Sequence, residues 1–518
     1  MTDIVLCTLP RMSLFYPPLA PALLKASVEK AGYKAKVLDF LIKFYQTFHN
    51  KEHWEEIDTW LVIPSRKDSK ILNIVQQELH KWAVEILSYN PRWIGISVFS
   101  YESHKIAALL VYELRKLDFN VKIVLGGMGI TGDANNYGQD LLETGMINAI
   151  LQGDGEHSLV ELLGGGNKTG KYLVSNLDEI AVPNFEDYDL DQYKIFKNKK
   201  AGLGLQEKEL VDKSKMYQGF GNTWYRNDSI LTLPITGSKG CVRKCTFCDV
   251  PSHWPKYITR TADSMFQEIV SQHRKYQPQR FHFTDSLING NMKIFRELCT
   301  KLARWREENT EVTFTFTGQY ICRNWKSETD SDYETMRKAG IRLLEVGIET
   351  GSEKVRFHMG KKFTNEDVFM LLERCKRNDI KVLLLMIVGY PYEELEDHHA
   401  TMTFLKECTR YNDNIEAVIL GKTLTVDEDA SISKDPNISF ITFDNGKTDP
   451  LLWVNSQNKN LTLYERLCRR IELTSFSNEL GLSTPTNMQD MLYLHEKWLE
   501  LGKYEGTDAF NDPFKDIF

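Results

Sequence analysis

Between residues 4 and 420 the sequence keeps returning to one alternation: a short apolar run, commonly closed by Gly, Ser or an acid, then a stretch with helical spacing. Strands that alternate with helices need crossover connections, and these build parallel sheets with helices on their faces. The first series has strand-like runs at residues 4–9, 36–40, 92–99, 121–125 and 149–152. Helical patterns at 19–31 and 103–117 separate them, the first stopped by Gly32. This predicts a doubly wound, Rossmann-like domain over residues 1–185. Ligands of such sheets bind at the carboxyl ends of the strands, which here carry Ser97, Gly126, Gly127 and Gly153. A second series, at 231–236, 280–285, 312–317, 343–349, 381–388 and 415–420, predicts a partial (β/α)6 barrel over 229–425. Its active site belongs at the same end of the strands. The fold class is therefore α/β. Residues 186–228 read as a linker, and 426–518 as an acidic, aromatic C-terminal domain for capping or substrate binding.

Charge narrows the partners. The net charge is −7, and the last 93 residues, with nine Lys/Arg against sixteen Asp/Glu, account for all of it. Binding to a phosphate backbone draws on Lys and Arg, so nucleic acid is not an expected partner. The longest apolar run, at 382–388, is far shorter than a membrane span. The start, Met1-Thr2-Asp3, lacks the basic residues of a secretory signal and reads as a first strand. A cytoplasmic location is the expectation, and six cysteines scattered singly suit a reducing compartment.

The other three cysteines lie within eight residues: Gly240-Cys241-Val242-Arg243-Lys244-Cys245-Thr246-Phe247-Cys248. Four thiolates close a [4Fe–4S] cluster, whereas three leave one iron with an open position. The competing reading is a zinc site with His253 as the fourth ligand, since the interval from Cys248 to His253 is a workable zinc spacing.

The three-cysteine loop resembles the signature of the radical S-adenosylmethionine (SAM) superfamily. The resemblance extends over roughly residues 229–412. Phe247 stands before the last cysteine, and Thr284-Asp285-Ser286 closes the second strand. Gly347-Ile348-Glu349-Thr350-Gly351 closes the fourth, and Ile387-Val388-Gly389-Tyr390-Pro391 the fifth. What the resemblance implies is a [4Fe–4S] cluster on Cys241, Cys245 and Cys248. Its open iron chelates SAM, and one electron cleaves the sulfonium to a 5′-deoxyadenosyl radical that takes hydrogen from substrate. It further implies that Phe247 and Gly389 lie near the adenine and that Glu349 and Thr350 reach the ribose. Asp285 and Ser286 would meet the methionine amino group, and Gln319 or Arg323, after the third strand, its carboxylate. An electron donor such as flavodoxin or ferredoxin is implied as partner.

The first domain resembles the cobalamin-binding domain of a large subgroup, the class B methyltransferase-like enzymes. Pro17-Pro18-Leu19, Leu38-Asp39, Gly95-Ile96-Ser97 and Gly153-Asp154-Gly155-Glu156 fit, and 26 residues separate Ser97-Val98-Phe99 from Gly126-Gly127. The Asp-x-His-x-x-Gly motif that ligates cobalt is missing: Asp39-Phe40-Leu41-Ile42-Lys43-Phe44 has neither the His nor the Gly. The resemblance then implies base-off cobalamin without a protein histidine, or a domain that binds nothing. His104 is expected to be structural. Three functions follow in order: a cobalamin-dependent methyltransferase acting on an unactivated carbon of a small molecule or peptide; a non-methylating or cobalamin-free radical SAM enzyme (epimerase, cyclase or rearrangement catalyst); and a non-catalytic metal-binding protein. Anaerobic reconstitution tests the common premise. It should load about four irons per chain, the content of a [4Fe–4S] cluster, and none in the triple Cys→Ala variant. Stoichiometric zinc without iron uptake would refute it.

Overall fold

The structure is a computed structural model that describes residues 2–10, 12, 14–48, 52–62, 67–130, 137–166, 171–198, 230–442 and 448–484. The chain forms two compact units, divided between residues 204 and 235.

The first unit is built on a parallel sheet of six strands: β1 (Thr2–Thr8), β2 (Ala35–Asp39), β3 (Pro91–Ser97), β4 (Lys122–Gly126), β5 (Ala149–Gly153) and β6 (Lys171–Tyr172), in the order β2-β1-β3-β4-β5-β6. Ile4, Val5, Leu6 and Cys7 of β1 are all buried, as a strand covered on both faces requires. Cys7 pairs with Leu38 on one side and Ile96 on the other. The strand order thus reverses between β1 and β3, where ligand crevices open in doubly wound sheets. Strand β6 has only two residues, too short to leave a pattern in the sequence. The segment before β3 supplies helices Phe40–Phe48, Trp54–Val62 and Ser69–Ser88, with Phe40 stacked on Trp82 at 4.4 Å.

Residues past 185 do not simply link. The Asp187 carboxylate accepts from Lys25 and Lys36 Nζ, both at 2.6 Å, and from the Val37 N–H. In helix Leu190–Asn198, Tyr193 donates to Asp39 at 2.7 Å. Asp39 also accepts from Thr8, and burial holds its carboxyl above the usual range. The acid of Leu38-Asp39 is therefore spent inside the fold. Residues 199–229, which carry the rest of the expected linker, lie outside the described residues.

The second unit carries β7 (Thr232–Ile235), a short antiparallel pair β8 (Ser238–Lys239) and β9 (Ile258–Thr259), then β10 (Arg280–Phe283), β11 (Thr315–Tyr320), β12 (Ile341–Glu349), β13 (Lys381–Val388) and β14 (Ile415–Thr423). The six long strands form one sheet in sequence order, β14-β13-β12-β11-β10-β7, parallel from β10 through β14. This is the expected partial (β/α)6 barrel, with one shift. The third strand starts at Thr315 rather than Val312, because the Val312 N–H is used by the Asn309 carbonyl and pairing begins with Thr315 on Gln279. The alternation of apolar residues with Thr runs unbroken through 312–317, so it carries no mark of where pairing starts. The shift moves Gln319 from the loop onto the strand.

Residues 426–484 fall in the same compact unit as the barrel, not in one of their own. A hairpin of β15 (Ile438–Thr442) and β16 (Thr448–Asn455) precedes helix Leu463–Glu479. Val426, Ile432 and Trp453 share one buried core with Val355, Met359 and Tyr390 of the barrel. Tyr493, Trp498, Tyr504 and Phe510, which belong to the expected capping or substrate-binding domain, lie outside the described residues. No described helix is long and apolar enough to cross a membrane.

One stability difference follows from the strand ends. Gly127 takes φ +113°, and a Cβ there would lie 2.4 Å from the Val98 carbonyl oxygen; at Gly126 the nearest atom is the Leu151 oxygen at 3.6 Å. Urea unfolding should show Gly127→Ala losing about 1–3 kcal/mol, the cost of a residue held in an unsuitable backbone region. Gly126→Ala should lose clearly less. Equal losses would contradict the geometry.

Candidate functional site

The cysteine loop does not leave β7 directly. The chain passes Thr236 and Gly237, forms β8, runs through the loop and helix Val250–His253, and returns as β9. The β8–β9 pair thus closes the base of the loop. All three thiols are half-buried and in no disulfide. The Arg243 N–H points at Cys241 Sγ, 3.3 Å away, and the Cys248 N–H donates to the Cys245 carbonyl at 3.2 Å. Burial pushes the Cys248 thiol up to about 12 and raises that of Cys245, against the pull of Lys361. Metal ligation takes deprotonated thiols, so three half-buried cysteines aided by a backbone N–H and nearby cations fit an iron–sulfur cluster. His253 is engaged elsewhere, with Nε2 3.3 Å from Asp249. Among the described residues no three His, Cys, Asp or Glu side chains converge on a single-ion site.

Around the loop stand the strand ends. Asp285, just past β10, is buried, and its two oxygens accept from the Gly237 N–H at 3.1 and 2.9 Å. Burial pushes its carboxyl up to about 7. A small cavity beside it is lined by Ser238, Met265, Phe283, Asp285 and Asn291. Ser286 next to it is half-buried. Glu349 ends β12 at φ +68°, an unfavoured region for a side chain with a Cβ. It is held there by an ion pair with Lys361 at 2.5 Å, and Lys361 Nζ also donates to the Gly347 carbonyl at 2.8 Å. Both Glu349 and Lys361 act on Cys245 electrostatically, so the end of β12 and the cysteine loop are neighbours.

The remaining expected residues fall in different settings. Phe247 packs against the core that holds Met359, Tyr390 and Trp453. Thr350 is fully buried, its hydroxyl 3.0 Å from that of Thr401. Gln319 is exposed on β11. Arg323 donates through Nη2 to the Asn289 and Gly290 carbonyls, while its Nε is buried without a partner. At Gly389, φ +77°, a Cβ would lie 2.6 Å from Arg466 Cγ. The absent side chain makes room for Arg466. Lys361, Gly237 and Arg466 escaped the sequence reading; the Gly after β7 was a visible signal, whereas Lys361, in the loop between helices Glu353–His358 and Asn365–Arg377, and Arg466, in helix Leu463–Glu479, carry no local mark of the residues they meet.

In the first unit, Ser97 and Gly126 are cross-strand partners at the ends of β3 and β4, and Gly153 ends β5. The Ser100 hydroxyl nearby is buried without a partner. Phe99, also past β3, is half exposed at 51%. His104 is occupied: Nε2 is 2.7 Å from the Gly129 carbonyl and the ring stacks on Tyr137 at 3.7 Å.

Asp285 makes a pH prediction. Its folded pKa lies above its unfolded value of 3.8, so ionisation favours the unfolded chain and stability falls as pH rises from about 4 to about 7. Urea unfolding should show the wild type losing up to about 1.4 kcal/mol per pH unit more than Asp285→Asn over that span. Parallel profiles would refute the assignment.

Comparison with known proteins agrees with this geometry. Residues 235–405 match the Radical SAM superfamily. The uncharacterized methyltransferase PH0819 of Pyrococcus horikoshii is 20% identical over 373 residues, 67% of this chain and 71% of that protein. The anaerobic magnesium-protoporphyrin IX monomethyl ester cyclase of Synechocystis is 25% identical over 311 residues, 58% and 55% of the two chains. Among solved structures, the radical SAM methyltransferase TsrM from Kitasatospora setae, with cobalamin and a [4Fe–4S] cluster bound, aligns with a TM-score of 0.59 at 16% identity. The alignment covers 91% of this chain and 89% of that one, so the likeness in fold includes both units.

Proposed function

We propose that this chain, a radical SAM enzyme by its domain over residues 235–405, is a cobalamin-dependent methyltransferase acting on an unactivated carbon. The observation that carries the reading is the fold likeness across both units to a methyltransferase that holds cobalamin and a [4Fe–4S] cluster. When bound, the cluster and SAM supply a carbon radical, and cobalamin carries a methyl group.

The chain's own residues have separable tasks. Cys241, Cys245 and Cys248 hold the cluster. Asp285, whose oxygens already accept from the Gly237 N–H, takes the amino group of SAM, with Ser286 beside it. Arg323, with a buried unpaired Nε, is the cation for the carboxylate, and Gln319 lies one strand position from Tyr320 on the same β11. Glu349, fixed by Lys361, is the group for the ribose, with Thr350 contributing through its backbone because its hydroxyl is used by Thr401. The backbones of Phe247 and Gly389 border the adenine. In the first unit Ser97, Gly126, Gly127 and Gly153 form the strand-end surface for cobalamin. Gly126 leaves open backbone there, and Ser97 and Ser100 offer hydroxyls to a polar tail. His104, already bonded to Gly129, is no cobalt ligand, in keeping with base-off cobalamin. The substrate is a small molecule or peptide, the reductant a flavodoxin or ferredoxin, and the compartment the cytoplasm, where nine free cysteines stay reduced.

The identity with an anaerobic cyclase supports a second reading, radical chemistry without methyl transfer. Anaerobic incubation of corrinoid-loaded enzyme with SAM bearing a deuterated methyl group and a cell metabolite extract separates the two. Methyl transfer predicts 5′-deoxyadenosine together with a product carrying the label, both lost in Cys245→Ala. 5′-Deoxyadenosine with an unlabelled product would establish the second reading.

A further inference from the structure

The family match ends at residue 405, yet residues beyond it reach into the cysteine loop. We propose that Tyr390 and the turn at residues 430–432 are positioning residues for the cluster: they clamp the half of the loop between Cys245 and Cys248. The inference rests on the cluster reading above and deepens it, because it makes the segment after the last barrel strand part of the cluster site.

The argument centres on Thr246. Each of its polar groups is held from outside the loop. Its N–H donates to the Met359 carbonyl at 3.0 Å. Its hydroxyl lies 2.7 Å from that of Tyr390. Its carbonyl accepts from the Ile432 N–H at 2.8 Å and from Ser431 Oγ at 3.2 Å. Tyr390 is itself fully buried, and its hydroxyl lies 2.9 Å from His358 Nδ1, so it is anchored on both sides. Burial pushes that phenol up to about 12, which keeps its proton in place. The next residue, Phe247, packs into the core containing Met359, Tyr390, Ile432 and Trp453.

Among the described residues the other half of the loop has no such clamp. Val242 is 45% exposed and Lys244 is exposed, and Arg243 reaches out only to the Cys322 carbonyl at 3.4 Å. Cys245 and Cys248 are therefore fixed relative to each other by partners on both sides, whereas Cys241 stands at the end of a looser span. Groups that hold the ligands, rather than the ligands alone, set how firmly a metal centre is kept and how it is tuned. The residues that do so here come from the end of β13 and from the segment after β14.

The test uses the full chain, reconstituted anaerobically, in four forms: wild type, Tyr390→Phe, Ser431→Ala and Tyr392→Phe. Tyr390→Phe keeps the ring in the core and removes one hydroxyl from Thr246 and His358. Tyr392→Phe is the control, because its hydroxyl serves Asp435 at 2.6 Å in the same segment and does not touch Thr246. Two quantities are read: the rate of iron loss to a chelator under reductant, and the electron paramagnetic resonance spectrum of the reduced cluster with and without SAM. Tyr390→Phe should lose iron about tenfold faster, the effect of one buried hydrogen bond, and should show shifted or broadened g-values. Ser431→Ala should do the same to a smaller degree, and Tyr392→Phe should match the wild type in both. Wild-type spectra and iron loss in Tyr390→Phe and Ser431→Ala would overturn the proposal, as would equal losses in all three variants, which mark general destabilisation. A wild type that takes up no iron would instead defeat the cluster reading itself.

Discussion

A parallel strand cannot hand its chain to its neighbour by a tight turn; it must give it to a crossover and start again at the same end. Both sheets of this protein obey that constraint, and everything chemical in them follows from it. The carboxyl ends of β1–β5 and of β10–β14 collect on one edge of each sheet, and the residues there are released from strand pairing. Ser97, Gly126, Gly153, Asp285, Glu349 and Gly389 all stand at or just past such an end. The cysteine loop adds one departure, the antiparallel β8–β9 pair, which ties the loop at its base.

The same constraint explains what the sequence revealed. Alternating strands and helices, with Gly or an acid after the strand, predict both sheets and place the strand ends correctly to within a few residues. The three cysteines at fixed intervals are a local signal and need no tertiary information. What stayed hidden depends on contacts between distant segments. The late start of β11 follows from a turn at Asn309, not from the Thr and Phe pattern. The partners of Glu349, Gly389 and Thr246 lie 12, 77 and up to 186 residues away, as Lys361, Arg466 and Ile432. The place of residues 426–484 was also illegible, since acidic composition describes a surface and not the Val426, Ile432 and Trp453 face beneath it.

Buried charge marks the joints of the second unit. Among the described residues Arg466 has no carboxylate partner; it stands 3.8 Å from the Trp453 ring centroid and donates to the Leu451 and Trp453 carbonyls, and burial pulls its guanidinium down to about 9. One turn further along the same helix face stand Arg469, paired with buried Glu393, and Arg470, which donates to the Gly421 carbonyl. A guanidinium satisfies several carbonyls at once from one rigid fork, which suits the carbonyls of β16 and β14 that this helix face meets.

Gly389 and Arg466 also constrain how such a chain can vary. A Cβ at 389 would run into the stem of Arg466, within 2.6 to 3.1 Å of three of its carbons. A shorter residue at 466 would relieve that crowding but abandon the carbonyls and the Trp453 ring. Neither position can drift alone without cost, and changes at the two are not additive. Related chains that keep this helix should therefore change the two positions together or not at all, so the pair is a natural marker of where the C-terminal helix has been retained, replaced or lost.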